Sequence, residues 1–349
     1  MKIVVLAGGL SSERDVSLST GSMVCRALRE MGHKVLLLDV FLGLREIGGS
    51  PDALFTGGDS PTQIIPIPDR EPDLDAVRAK RKDGGASFFG PNVLDILRAS
   101  DMVYIALHGI CGEDGRLQAA LDLIGVPYTG TGSLGSALAM NKDLSKKLIH
   151  AAGVRTARWV AAGPDTDAAA IAGKVGLPCV VKPNNGGSSI GVFIPSSKDE
   201  LEASLREAFR YDECVIVEEY IKGREFSVGI LDGEALPVIE IVPHQGFYDY
   251  SNKYQQGMTD EICPARLGTD QTVEIQQLAL RVHRALMLGS YSRIDFILDR
   301  DGRFICLEAN TLPGMTPTSL LPQEAQAQGL SYNELCYRIV AAGKSRKGV

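Results

Sequence analysis

The chain has 349 residues, of which 44% are hydrophobic and 23% charged, with a formal net charge of −7. That length suits about two domains, and the acidic balance gives no global basic field to draw the chain to nucleic acid or a membrane surface. No apolar run approaches the roughly 18 residues of a membrane-spanning helix, and seven scattered cysteines without a C-x-x-C pair point to reduced thiols in a cytoplasmic protein, not a zinc site.

The N-terminus, Met1-Lys2-Ile3-Val4-Val5-Leu6, meets Gly8-Gly9 too soon for a signal peptide and reads as a buried strand over 2–6. A helix follows from about Asp15, with Val16, Val24, Leu28 and Met31 on its apolar side, and Gly32 ends it before a second strand over 34–40. Residues 43–90 are rich in Gly, Pro and Asp, with a charged run at 78–83 and a hairpin expected near 64–67. A third strand over 101–107 and a helix over 115–124 complete an alternation that favours a parallel sheet.

From Ser133 the pattern changes. One helix is expected to 152, then an extended segment over 154–160. Short strands are expected at 179–182, 192–194, 214–219, 225–231 and 236–241, with amphipathic helices over 198–209 and 272–287. The turns Asp232-Gly233 and Asp301-Gly302 imply largely antiparallel sheets. The expected division is an α/β domain over 1–130 and an α+β domain over 131–349, the latter with lobes at 131–215 and 216–349.

One stretch breaks the apolar pattern. Asp295 sits inside the run 293–298, and Glu308 and Asn310 end the run 304–310. Burying such groups without partners costs roughly 2–7 kcal/mol each. Asp299-Arg300-Asp301-Gly302 makes the two runs a hairpin. Whether 295 pairs with 306 or stands opposite 308, the period of two puts Asp295, Glu308 and Asn310 on one face. Oxygen-only ligands of this kind suit a hard cation such as Mg²⁺, which takes its remaining ligands from water and phosphate. Upstream, Lys182 ends a strand and the loop 184–191 (NNGGSSIG) follows, whose N–H groups could nest a phosphate. Alone, that loop is as readily a plain turn. It is not a Walker A loop, and Gly8-Gly9-Leu10 does not match a dinucleotide fingerprint.

Taken together, the strand ending in Lys182, the Gly-Ser loop, the segment Glu218-Glu219-Tyr220-Ile221, the Arg293-Ile294-Asp295 strand and the Leu307-Glu308-Ala309-Asn310 strand resemble the ATP-grasp fold. Four further stretches narrow the resemblance to the D-alanine–D-alanine ligase family: 8–18 (GGLSSERDVSL), 108–115 (HGICGEDG), 248–254 (YDYSNKY) and 310–320 (NTLPGMTPTSL). It runs in order across the chain except over about 43–92.

The resemblance implies an N-terminal parallel α/β (pre-ATP-grasp) domain and a two-lobed ATP-grasp domain. It also implies a ligase that phosphorylates one D-alanine carboxylate with ATP and lets a second amino group attack the acyl phosphate. By resemblance, Asp295, Glu308 and Asn310 hold two Mg²⁺ or Mn²⁺ ions, while Lys142, Lys182 and Lys253 contact phosphates, with Ser189 beside them. Glu218, Glu219 and Ile221 read the adenine edge, Glu225 takes the ribose and Phe247 lies against the base. Glu13 and His108 receive the first D-alanine, and Glu13, Ser188 and Tyr254 form a network across the site. Arg293 and the Gly314 N–H stabilise the oxyanion, and Ser319 with the Leu320 N–H binds the second carboxylate at a helix start. Residues 244–262 read as a lid over both substrates. The intact Lys253-Tyr254 pair argues for an amine nucleophile over D-lactate but leaves D-serine open. A non-catalytic nucleotide sensor on this fold is the reading of another class. Homodimerisation follows from family analogy alone.

Overall fold

The computed structural model describes residues 1–55, 64–65, 67, 72–81, 83, 85–187, 190–244 and 259–344. The chain begins with β1 (Lys2–Ala7), α1 (Arg14–Glu30), β2 (Lys34–Asp39), α2 (Leu74–Ala79), α3 (Val93–Arg98), β3 (Met102–Ile105) and α4 (Arg116–Ile124). β1 pairs in parallel with β2 on one side and β3 on the other. Their continuous apolar runs are explained by helices covering the sheet. Gly8 lies at φ +78, and a Cβ there would come within 2.5 Å of the Asp39 carboxylate, so only glycine lets the chain turn off β1. Met31, expected on the buried side of α1, is 39% exposed just past the helix end. Of the hairpin expected near 64–67, residues 64, 65 and 67 are described and are not in a strand, and 66 lies outside the described residues.

Next come α5 (Ser133–Met140), α6 (Lys142–Ala151), β4 (Trp159–Ala162), α7 (Ala168–Val175), β5 (Cys179–Pro183), α8 (Lys198–Ala208) and β6 (Val215–Glu219). The single helix expected over 133–152 is broken at Asn141, whose backbone is extended (ψ 103) and whose side chain accepts the Leu144 N–H. Asparagine favours such a cap because its short amide competes with the helical bond pattern. β6 pairs antiparallel with β4 and β5, so it belongs to this central sheet and not to the later one. The segment 192–194 contributes only a bridge, Phe193 to Val181.

The remainder holds β7 (Gly223–Leu231), β8 (Glu234–Ala235), β9 (Ile239–Pro243), β10 (Thr259–Ile262), α9 (Thr269–Ala285), β11 (Tyr291–Asp299), β12 (Phe304–Asn310), α10 (Leu320–Ala327) and α11 (Tyr332–Lys344). Among the described residues its strands run β10-β9-β7-β11-β12, all antiparallel, with β8 hairpinned onto β7. A parallel bridge from Thr156 to Cys306, with Cys306 N–H donating to Arg155 O (2.8 Å), ties the central lobe to β12. The N-terminal core is not made from the first 130 residues alone. Leu321, Ala325, Leu335, Ile339 and Val340 pack into the same cluster as Ile3, Val5, Leu28 and Tyr104.

Candidate active site

The central and C-terminal sheets close on a cleft of about 1110 Å³, open mouth included. Its lining comes from β5 and β6 on one side and from β11 and β12 on the other, including Lys142, Lys182, Glu218, Glu225, Asp295 and Glu308.

The first wall is cationic. Lys142 opens α6, whose first N–H groups are held by Asn184: Lys142 donates to its carbonyl and Asp143 to its Oδ1, both at 2.9 Å. Lys142 Nζ reaches Gly186 O at 2.6 Å. Burial lowers its pKa to about 8, and Lys182 pushes the same way against the pull of Glu308. Lys182 and Glu218 alternate into the cleft from neighbouring strands, with Lys182 Nζ 2.5 Å from Glu218 Oε1. Lys146, one turn beyond Lys142, places its Nζ 2.7 Å from Glu218 Oε2. Burial opposes ionisation of Glu218, but the two ammonium groups outweigh it and hold its pKa at about 2. Glu219 points elsewhere: its carboxylate pairs with Arg158 Nε at 2.7 Å.

The second wall is the acidic hairpin. Near its tip Phe296 pairs with Cys306, but a bulge follows and sets Asp295 opposite Glu308. Of the two registers considered from the sequence, the one with 295 opposite 308 holds over Arg293–Asp295, and the one pairing 295 with 306 holds nowhere; toward the tip the pairing is offset by one residue. The extra residue, Leu307, lets both Asp295 and Glu308 line the cleft. Asp295 is well occupied. Its Oδ1 accepts from Ser227 Oγ (2.7 Å) and Arg293 Nε (2.9 Å), and its Oδ2 accepts from Arg293 Nη2 and Asn310 Nδ2 (both 2.9 Å). Arg293, Asp295 and Asn310 are thus one hydrogen-bonded unit.

At the ends of β1 and β3, Glu13 and His108 are buried, at 8% and 7% exposure, so Glu13 is no solvent-facing helix-start carboxylate. Glu113 joins them. Its Oε accepts the Gly109 N–H at 2.7 Å, and burial, reinforced by Glu13, raises its pKa to about 8. Burial lowers the His108 pKa, with Glu13 opposing. Beyond Asn310 the chain turns through Gly314, where a Cβ would lie 2.9 Å from Ser319 Oγ. Ser319 precedes α10, its hydroxyl held by the Thr316 N–H (3.2 Å) and Thr316 Oγ1 (2.8 Å), and Leu320 is buried.

The structure therefore gathers Lys142, Lys182, Glu218, Glu219, Ile221, Glu225, Asp295 and Glu308 around one cleft, with Asn310 and Arg293 adjoining. Ser188, Ser189, Phe247, Lys253 and Tyr254 lie outside the described residues, as does most of the expected lid. Sequence reasoning missed Lys146, Glu113 and Glu324. A signal for Lys146 exists in its i+4 spacing from Lys142. Glu324 is fully buried against Gly229, with burial raising its pKa far above the carboxylate range.

A parallel α/β unit followed by two antiparallel sheets that clamp such a cleft defines the ATP-grasp class. A D-Ala–D-Ala ligase N-terminal family model matches residues 2–131 and the C-terminal model matches 148–341. The chain belongs to the D-alanine–D-alanine ligase family. It is 44% identical to the D-alanine–D-alanine ligase of Pediococcus pentosaceus, covering 97% of each chain. It is 42% identical to that of Lacticaseibacillus casei, over 97% of this chain and 95% of the other. Among solved structures, the D-alanine–D-alanine ligase of Bacillus anthracis superposes with a TM-score of 0.75 at 33% identity, covering 99% and 98% of the two chains. A D-alanine–D-alanine ligase from Bacillus anthracis complexed with ATP also scores 0.75, at 29% identity and 99% and 97% coverage.

Proposed function

We propose that this chain joins two D-alanines with ATP, through a D-alanyl phosphate, to give D-alanyl-D-alanine for peptidoglycan. The observation that carries the reading is a cleft with buried lysines on one wall and carboxylates on the other, in a chain similar to such ligases over nearly its whole length. Lys142 and Lys182 receive phosphate oxygens as point charges. Glu225 takes the ribose. Because both Glu218 oxygens face lysines, the base is read through the backbone of 219–221.

Asp295 and Glu308 stand opposite each other with Asn310 adjoining. This donor chemistry fits Mg²⁺ or Mn²⁺, and these three residues would hold two such ions. Bound there, the ions would neutralise phosphate charge during transfer. Glu13 and His108 orient the first D-alanine at the ends of β1 and β3. The start of α10, with Ser319 and Leu320, receives the second carboxylate, and Arg293 with the Gly314 N–H faces the carbonyl under attack.

The test is phosphate release from ATP with D-alanine, D-serine, D-lactate or L-alanine, followed by product mass. D-Alanyl-D-alanine is expected, and no turnover with any D-amino acid would sink the reading. A homodimer and a cytoplasmic setting belong to the same proposal. No helix among the described residues is long and apolar enough to cross a membrane. A monomer in sedimentation velocity would remove the dimer.

A further inference from the structure

On the cationic wall Glu218 faces two ammonium groups, Lys146 and Lys182, one more than a carboxylate can neutralise, and Lys142 stands beside them. Lys146 is 2% exposed, yet its partners are the neutral Thr156 hydroxyl (2.6 Å), the face of Trp159 (5.3 Å) and one oxygen of Glu218 (2.7 Å). The other Glu218 oxygen serves Lys182 at 2.5 Å. A Lys182–Glu218 pair would be electrically complete without Lys146. Adding a second buried ammonium brings a desolvation cost with no anion of its own. The carboxylate's help is shared unequally: burial lowers the Lys146 pKa despite Glu218, whereas at Lys182 the pull of Glu218 overcomes burial and raises it.

Lys182 and Glu218 line the main cleft, while Lys146 lines a smaller cavity together with Lys142, Glu113, Glu308 and Asn310. Thr156 is itself fixed by the bridge to Cys306, so the position of Lys146 follows from the junction of the two sheets. We propose that Lys146 is a positioning residue for polyphosphate binding: by setting a second ammonium on the Glu218 carboxylate that serves Lys182, it leaves the Lys146–Glu218–Lys182 triad of the lysine wall with one net positive charge. The assignment rests on the nucleotide reading above. It makes Lys146 a residue that acts on the phosphates through Lys182 and not on the base.

The experiment compares full-length wild type with Lys146→Met and Lys146→Arg by calorimetric titration of ATP, ADP and adenosine, alongside thermal unfolding without ligand. Lys146→Met should weaken ATP and ADP about tenfold, the scale of one buried charge–charge interaction at moderate effective dielectric. It should leave adenosine unchanged and leave the unliganded Tm level or higher, since a surplus buried charge is gone. Lys146→Arg should restore the affinity. In a Lys182→Met background the Lys146→Met effect on ATP should vanish, whereas an independent role would add. Lys146→Gln, able to keep the Thr156 contact, repeats the comparison if the methionine variant does not fold. Unchanged ATP affinity, or equal weakening of adenosine, overturns the assignment. Wild type that binds no nucleotide overturns the ligase reading and this assignment together.

Discussion

The two walls of the cleft treat charge in opposite ways. On the lysine wall, Glu218 stands between Lys146 and Lys182 and the balance is positive. On the hairpin wall, Asp295 is fully engaged by Arg293, Ser227 and Asn310, so its charge is already answered within the protein. One wall waits for an anion, while the other must exchange a partner before it can take a cation. The difference shows why both walls tolerate deep burial of ionised groups: each charge has a partner now or is shaped for one that arrives.

The largest effect should come from the hairpin. Asp295→Asn removes the charge that Arg293 is bound to, and phosphate release should fall by at least about 10³ while ATP still binds. Turnover near that of wild type would undo the metal assignment. Breaking the lysine wall should instead appear in stability. Glu218→Gln leaves two buried ammonium groups facing each other, and unfolding free energy should drop by about 3–5 kcal/mol, measured by urea denaturation. A loss below about 1 kcal/mol would mean that water reaches the triad.

A pH profile sharpens the contrast. Lys142, with its pKa lowered to about 8, is charged below that pH and neutral above it. Its folded pKa lies below the usual lysine value, so rising pH discharges it in the native protein first. The kcat/KM for ATP should therefore fall as pH rises through about 8, and Lys142→Arg should flatten that limb. The smallest effect belongs outside the cleft. Arg158→Ala breaks the solvent-facing pair with Glu219 and should shift stability by less than about 1 kcal/mol, with ATP affinity unchanged. A marked loss of affinity would bring the Glu219 carboxylate back into base recognition.

Sequence alone made some of this legible for physical reasons. β1 and β3 are visible because continuous apolar runs have no other good use, and the Asp295–Glu308 face follows from the period of two. The bulge at Leu307 carries no glycine or proline to announce it. The break at Asn141 was hidden by good helix formers on either side, although an asparagine followed three residues on by Leu144 fits a cap. Lys146 reads as one more lysine on an amphipathic helix until the fold buries it. Glu113 was visible as part of a motif, but its meeting with Glu13 depends on chain segments about a hundred residues apart. Residues 188, 189, 247, 253 and 254 are outside the described structure.

The way α11 packs against α1 bears on how the molecule is made. Leu335, Ile339 and Val340 complete a hydrophobic cluster that begins with Ile3, Val4 and Val5. The cluster that covers the first sheet is therefore complete only once α11 has been made, and until then part of the sheet's apolar surface has no cover. Domains generally fold as units from the N-terminus onward, and exposed apolar surface in such intermediates invites aggregation. The last stretch of chain acts as a closing seam, so truncations near the C-terminus should damage the beginning of the protein first.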